Sequence, residues 1–290
     1  LELTTSEILK RVRRIEIKTK GLSNHIFAGE YHSAFKGRGM SFSEVREYTP
    51  GDDVKAIDWN VTARFSHPYV KVFEEERELT VMLLVDISRS SLFGIHQRSK
   101  QELITEISAV IAFSATTNND KIGVIFFADK VEKFIPPKKG KSHILRIIRE
   151  LITLEPANSR ETNVQAALEY LNNVVKKKTI AFVLSDFISK SYDKGLQHAA
   201  RKHDIIGIQV YDKGDRELPQ AGLIQVMDAE NNTTNWIDTD NKELRVQYQK
   251  VFDNQHQYFV QTFRKNNAAL FSVRTDEDYI KKLQAFFKAR

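Results

Sequence analysis

Two almost unbroken apolar stretches, LTVMLLVD at 79–86 and TIAFVLSD at 179–186, each run directly into an aspartate. Both have the length of a strand and fall well short of the roughly 18 to 20 apolar residues that cross a bilayer. A strand that is apolar on both faces must be covered on both faces, which is the condition of a parallel sheet with helices on either side. DIIGIQVYD at 204–212 is a third run of this kind, and AALFSVR near the C-terminus is a last strand. Between the strands lie stretches of helical period. SKQELITEISAVIAFSATTN (99–118) puts Leu103, Ile107, Val110, Ile111 and Ser114 on one face, and KSHILRIIRELITL, VQAALEYLNNVV (164–175) and SYDKGLQHAARKH continue the alternation. KIGVIFFA (121–128) and KVEKFIP (130–136) read as strands joined by a tight turn at Asp129-Lys130. The pattern predicts an α/β fold: a doubly wound, mostly parallel, Rossmann-like sheet.

The flanks are built differently. Residues 6–20 carry Ile8, Leu9, Val12 and Ile15 at helical spacing among basic residues, with Ser6 as N-cap. Such a helix could lie on a membrane, but the short aliphatic stripe without Trp or Phe favours packing on its own domain. Residues 28–76 read as short strands around a Pro50-Gly51-Asp52 turn. GLIQVMDA and TTNWIDT form a hairpin turning at Asn231-Asn232, and 243–264 is a helix with Leu244, Tyr248, Phe252, Phe259 and Phe263 inward. Thr275 and Asp278 resemble a capping box before a final helix. The expected division is an N-terminal α+β cap at 1–76, a core at 77–240, and C-terminal helices and a strand at 241–290 packed on that core.

In a sheet of this type, ligands bind beyond the carboxyl ends of the strands, at a topological switch point. There Asp86-Ile87-Ser88-Arg89-Ser90 presents an acid and two hydroxyls at alternate positions. Residues two apart in an extended loop point the same way, so Asp86, Ser88 and Ser90 can converge. With a threonine from another loop and water they make a hard-oxygen site that suits magnesium or manganese, and calcium less well. The competing explanation is local: Asp86 caps a helix and the serines bond the backbone. With no cysteine and eight scattered histidines, no thiolate or zinc centre is expected.

Asp-x-Ser-x-Ser after an apolar strand resembles the metal-ion-dependent adhesion site of von Willebrand factor A domains. Glu161-Thr162-Asn163 looks like the second loop of that site, with Thr162 as its threonine, and Val183-Leu184-Ser185-Asp186 like the third, with Asp186 as its aspartate. The resemblance implies that Asp86, Ser88, Ser90, Thr162 and Asp186 bind a divalent metal ion. Glu161, where glycine often stands, departs from the pattern. The stretch from GEYHSAFKGRGMSF through VKVFEEERELTVMLLVDIS, with NNDKIGVIFFAD, IPPKKGKSHILRIIREL and RTDEDYIKKLQAFF, is similar over nearly the whole chain to a bacterial family listed as domain of unknown function 58. Members typically accompany MoxR-type AAA+ ATPases, which implies an adaptor or substrate-presenting partner.

The expected function is therefore a non-enzymatic module that binds a carboxylate of the ATPase or a client protein through its metal ion. The alternative is a metal-assisted, phosphatase-like hydrolase using the same aspartates. Against it, the chain has no Gly-rich phosphate cradle and no clear nucleophile–base pair, and Lys36-Gly37-Arg38-Gly39 lacks P-loop spacing. The net charge of +6 gathers in the last fifty residues, where 10 Lys/Arg face 5 Asp/Glu. Without aromatic-interleaved basic motifs this reads as a solvated helix face, and no nucleic-acid partner is expected. The polar block Arg46, Glu47, Tyr48, Asp52, Asp53, Asp58, Trp59, Asn60 and Arg64 is either a partner surface or, more simply, a hydrogen-bonded cap. LELTTSEILKRVRR turns basic where a signal peptide would turn apolar, so a cytoplasmic protein without a transmembrane segment is expected. The chain opens on Leu1 rather than Met, which leaves room for residues upstream.

Overall fold

The computed structural model describes residues 40–65, 67–75, 79–92, 98–154, 161–227 and 234–290, together with Lys10 and Arg13. Both of those single residues are helical, and the rest of the N-terminal helix and the Asn231-Asn232 turn lie outside the described residues.

Strands β1 (Met40–Glu47) and β2 (Tyr69–Glu75) pair antiparallel as a small sheet. After β1, Thr49 to Asp52 close a turn in which the Asp52 amide donates to the Thr49 carbonyl at 3.1 Å. Gly51 supplies the positive φ of 112° that the turn requires. A short helix α1 (Trp59–Thr62), capped by Asp58, leads back into β2.

Six strands form the central sheet. They are β3 (Thr80–Asp86), β4 (Lys121–Phe127), β5 (Val131–Lys138), β6 (Ile180–Ser185), β7 (Asp204–Tyr211) and β10 (Ala269–Arg274), in the order β10-β7-β6-β3-β4-β5. Every neighbouring pair is parallel except β4 and β5. β5 carries Pro136 and Pro137, which an edge strand tolerates because its outer amides have no partner strand. A separate antiparallel pair, β8 (Leu223–Met227) with β9 (Thr234–Asp238), is the expected hairpin.

Alternate residues of each strand feed two cores. Val81, Leu83 and Val85 pack with helices α2 (Lys100–Thr117), α3 (Lys141–Thr153) and α8 (Tyr279–Lys288) on one face. Met82 and Leu84 pack with α4 (Val164–Val174), α5 (Asp193–Lys202) and α7 (Lys242–Lys265) on the other. A four-residue helix, α6 (Lys213–Arg216), follows β7. This is the doubly wound, mostly parallel architecture expected from the apolar runs. α2 is buried almost all round, as a helix without a strongly polar face must be.

Two details differ from expectation. β10 does not pack against the sheet but belongs to it, hydrogen-bonded along β7 from Ala269 to Arg274. And Thr275 does not cap the last helix: its hydroxyl donates to the buried Asp212 carboxylate, while Asp278 alone accepts from the Ile280 and Lys281 amides. The buried aspartate competes for the threonine more strongly than a solvated helix end does.

Candidate metal centre

From β3 the chain runs out to β4 and β5 on one side, then returns to β6, β7 and β10 on the other. The switch point therefore falls between β3 and β6, the two strands that end in Asp86 and lead into Asp186. Val85 pairs with Leu184 in register, so Asp86 emerges beside Ser185.

The Asp86 loop is folded by its own side chains. One Asp86 oxygen accepts from the Ser88 amide at 2.9 Å, and the other accepts from the Ser185 hydroxyl at 2.5 Å. Ser91 turns inward to donate to the Ser88 carbonyl at 2.6 Å. These bonds direct the two remaining hydroxyls toward each other: Ser88 Oγ and Ser90 Oγ are 3.0 Å apart. Asp86 and Ser88 are buried, and Ser90 is half-buried at the mouth.

Asp186 is held as firmly. One of its oxygens accepts from the Ile188 amide at 3.1 Å, and its carbonyl accepts from Gln209 on β7 at 3.3 Å. The next residue, Phe187, has a φ of 59°, in the left-handed region that costs a non-glycine residue on the order of 1 kcal/mol. Two things hold it there. Its amide donates to Ser185 Oγ at 3.0 Å, and its buried ring packs against Phe259 with centroids 4.3 Å apart.

Thr162 reaches the same edge through its backbone. It forms a parallel bridge with Ser189, whose hydroxyl donates to the Thr162 carbonyl at 2.9 Å, and the adjoining Asn163 amide donates to the Ala128 carbonyl at 2.7 Å. Ala128 follows β4 and Ser189 follows β6, the two strands that flank β3. Thr162 is thus buried beside the end of β3. Glu161 is exposed and ion-paired with Lys190 at 2.6 Å.

Sequence reasoning missed Lys100. This first residue of α2 is only 1% exposed, and its Nζ lies 3.1 Å from Asp186 Oδ2 and 3.1 Å from Asp215 Oδ2. Burial pushes the ammonium toward neutrality, but Asp186 and Asp215 outweigh it and hold the group above the ordinary lysine range. A lysine in the first turn of a helix reads as surface charge, and nothing local betrays its burial. Ser185, Ser189 and Asp215 were also missed; of these only Ser185, beside Asp186, carried a signal.

The donor set fits a divalent cation. Burial, and then the charge of Asp186, raise the Asp86 carboxyl to about 6, a penalty on its ionised form that a cation would relieve. Two oxygens in adjacent octahedral positions at roughly 2.0–2.1 Å from magnesium lie about 3 Å apart, the separation found between Ser88 and Ser90. Among the described residues no group of three or more His, Asp or Glu could hold a metal, so a centre here must draw on hydroxyls. The local explanation also has support, since the Ser88 amide does bond Asp86. The two hydroxyls also hydrogen-bond each other, and what the local explanation leaves out is their place beside two buried carboxylates.

Comparison with known proteins gives the family. The chain is 28% identical over 292 residues to the uncharacterized protein Rv1480 of Mycobacterium tuberculosis, covering 100% of this chain and 92% of the relative. Among solved structures, the conserved hypothetical protein BatB from Bacteroides thetaiotaomicron superposes with a TM-score of 0.47 at 17% identity, over 73% of this chain and 98% of that one. The SpRpn10 VWA domain gives 0.41 at 12%, over 71% and 93%. These structural likenesses are partial, and the family rests on sequence. The match to "Protein of unknown function DUF58" runs over residues 44–258, most of the 290 present, and the chain belongs to that family.

Proposed function

We propose that the protein is a non-enzymatic module that binds a partner protein through a divalent ion, magnesium in the first instance, held at Asp86, Ser88, Ser90, Thr162 and Asp186. The observation that carries this reading is the pair of hydroxyls 3.0 Å apart beside two buried carboxylates at the switch point of the sheet. When bound, the ion would supply a Lewis acid to which a partner carboxylate could bond, and Ser90, the half-buried member of the set, is the one nearest solvent. The chain's own contribution is to hold the oxygens in place with the amides of Ser88 and Ile188 and the Ser185 hydroxyl, so that little ordering is left to the moment of binding. A partner of the MoxR-type AAA+ class, or a client presented to it, is the proposed source of that carboxylate. A cytoplasmic location goes with this reading, and no described helix is long and apolar enough to cross a membrane.

The hydrolase alternative needs a nucleophile with a base. The loop serines instead bond each other and the backbone, and the half-buried histidines His143 and His256 bond Ile122 and Gln209.

The test pairs calorimetry with affinity capture. Wild-type protein should bind one divalent ion, Asp86→Ala should lose that binding while its melting transition stays cooperative, and chelator should release the ATPase or client. Undiminished ion binding by Asp86→Ala would sink the assignment of the site. Capture insensitive to chelator but abolished by charge reversal at Lys281 and Lys282 would move the working surface to the C-terminal helix.

A further inference from the structure

The buried cation beside the site has no part in the reading above. A lone ammonium this deeply buried is expensive, and its cost is met only by charged, hydrogen-bonded partners. Asp186 at the end of β6 and Asp215 in α6 are two such partners of Lys100. Helix capping does not explain it, because the positive end of the α2 dipole disfavours a cation at that position. The N-terminus of α2 is already closed by Ser99 and Glu102, whose capping box needs nothing from Lys100.

Asp215 is itself fixed. It accepts from the Asp212 amide at 2.7 Å, and Asp212 in turn accepts from the Gly214 amide at 2.9 Å and from the Thr275 hydroxyl. The Thr275 carbonyl accepts from Arg98, two residues before Lys100, at 2.6 Å. The ammonium therefore stands between a carboxylate of the metal site and a rigid second carboxylate. How strongly it draws on the first depends on the second.

Resting on the metal reading, we propose that Lys100 is a positioning residue that sets the divalent-ion affinity of the centre by sharing its charge between Asp186 and Asp215. The ion and the ammonium both draw on Asp186, and Asp215 diverts part of the ammonium's charge. Two substitutions then act in opposite directions. Lys100→Met removes the competing charge with little change of side-chain length and tightens ion binding. Asp215→Asn shifts more of the ammonium's charge onto Asp186 and weakens it. A unit charge within contact distance of a ligand carboxylate changes the affinity for a divalent ion on the order of tenfold, even with strong screening.

The experiment is titration of the full chain with magnesium and with manganese by calorimetry, alongside thermal melts with and without the ion. The expected result is a Kd about tenfold lower for Lys100→Met and several-fold higher for Asp215→Asn. A merely structural salt bridge predicts something different: both variants melt lower, and neither Kd moves, or both weaken together. Either of those outcomes overturns the proposal. Should Lys100→Met leave two buried carboxylates that prevent folding, Asp215→Asn decides alone, and an unchanged Kd overturns it. Wild-type protein that binds no ion would overturn the metal reading and this proposal with it. Wild-type binding abolished by Asp86→Ala, with both Lys100→Met and Asp215→Asn unmoved, would overturn only the role of the lysine.

Discussion

His203 ends helix α5 with its ring 3% exposed and neither nitrogen hydrogen-bonded to any described residue. Burial, with a smaller contribution from Lys202, lowers the imidazole to about 4, so the ring is neutral when folded. In the unfolded chain it titrates near the usual value of roughly 6.5. The sign follows directly: above that value neither state carries the charge, and as pH falls toward 4 only the unfolded state takes up the proton. Stability is therefore lost between about 6.5 and 4, on the order of 3 kcal/mol in all. Denaturant melts of wild type and His203→Leu should keep a constant offset above about pH 7, and as acid is added wild type should lose stability relative to the variant, whose curve lacks this titration. Curves that stay parallel would show that the ring is solvated. At the same scale, hydrogen bonds tie together the polar block near the N-terminus. Arg46 clasps Asp52 through two hydrogen bonds of 2.8 and 2.6 Å, and Asp53 and Asp58 cap the turns that follow. The block is thus hydrogen-bonded within itself, and Trp59 in it stays 68% exposed.

At the scale of elements, the approach of α7 to β7 depends on one missing methyl group. A Cβ on Gly207 would lie 2.5 Å from one atom of the Phe263 ring and 2.8 Å from one of Phe259. Both rings are fully buried and lie tilted at 56° with centroids 4.8 Å apart, with Phe187 packed against them. They have nowhere to turn. Gly207→Ala should therefore cost about 1 to 3 kcal/mol of overpacking, read as a lower urea midpoint with an unchanged slope. Because Phe187 holds the turn after Asp186, the same substitution should also weaken divalent-ion binding by calorimetry. A stability loss below about 0.5 kcal/mol would mean that α7 shifts freely over the sheet.

For the whole molecule, the C-terminal segment is a structural part of the sheet. β10 covers the outer edge of β7, and Val273, Tyr279, Leu283 and Phe287 are buried in the core that also holds Leu83 and Val85. At about 1.5 to 3 kcal/mol for each large apolar side chain, removing these four forfeits an amount comparable to the whole stability of a domain, about 5 to 15 kcal/mol. It also bares the edge of a parallel strand, a template for aggregation. A chain ending at Asn266 should accordingly be insoluble or should melt without cooperativity in differential scanning calorimetry. A soluble, cooperatively melting product would show that the structure closes without β10. The basic residues of this segment are mostly engaged: Lys282 with Glu277 at 3.2 Å, Lys281 with Asp278 at 3.8 Å, and Arg290 with Asp204. That pattern favours a solvated, paired helix face over a surface for a polyanion.

What the sequence determined by itself was whatever depends on short-range pattern. The runs at 79–86 and 179–186 are almost unbroken in apolar residues because both faces of a central strand are buried, so strand, sheet type and the aspartate at each end are legible together. The alternation made Asp86, Ser88 and Ser90 readable as a cluster, although Ser88 and Ser90 meet where the chain tightens into a 3-10 turn at Arg89–Leu92 and not in an extended loop. Phe259 and Phe263 were readable as an inward face because a helix repeats every 3.6 residues. What only the tertiary structure decided was everything whose partner is distant along the chain. Lys100 meets Asp215 across 115 positions, Arg98 meets Thr275 across 177, and β10 joins β7 after the whole of α7 has intervened. The final helix shows the limit most plainly. Thr275 stands in the sequence as a local cap, yet it turns to Asp212, 63 positions away, because a buried carboxylate oxygen left without a donor costs more than a solvent-exposed helix end with one cap fewer.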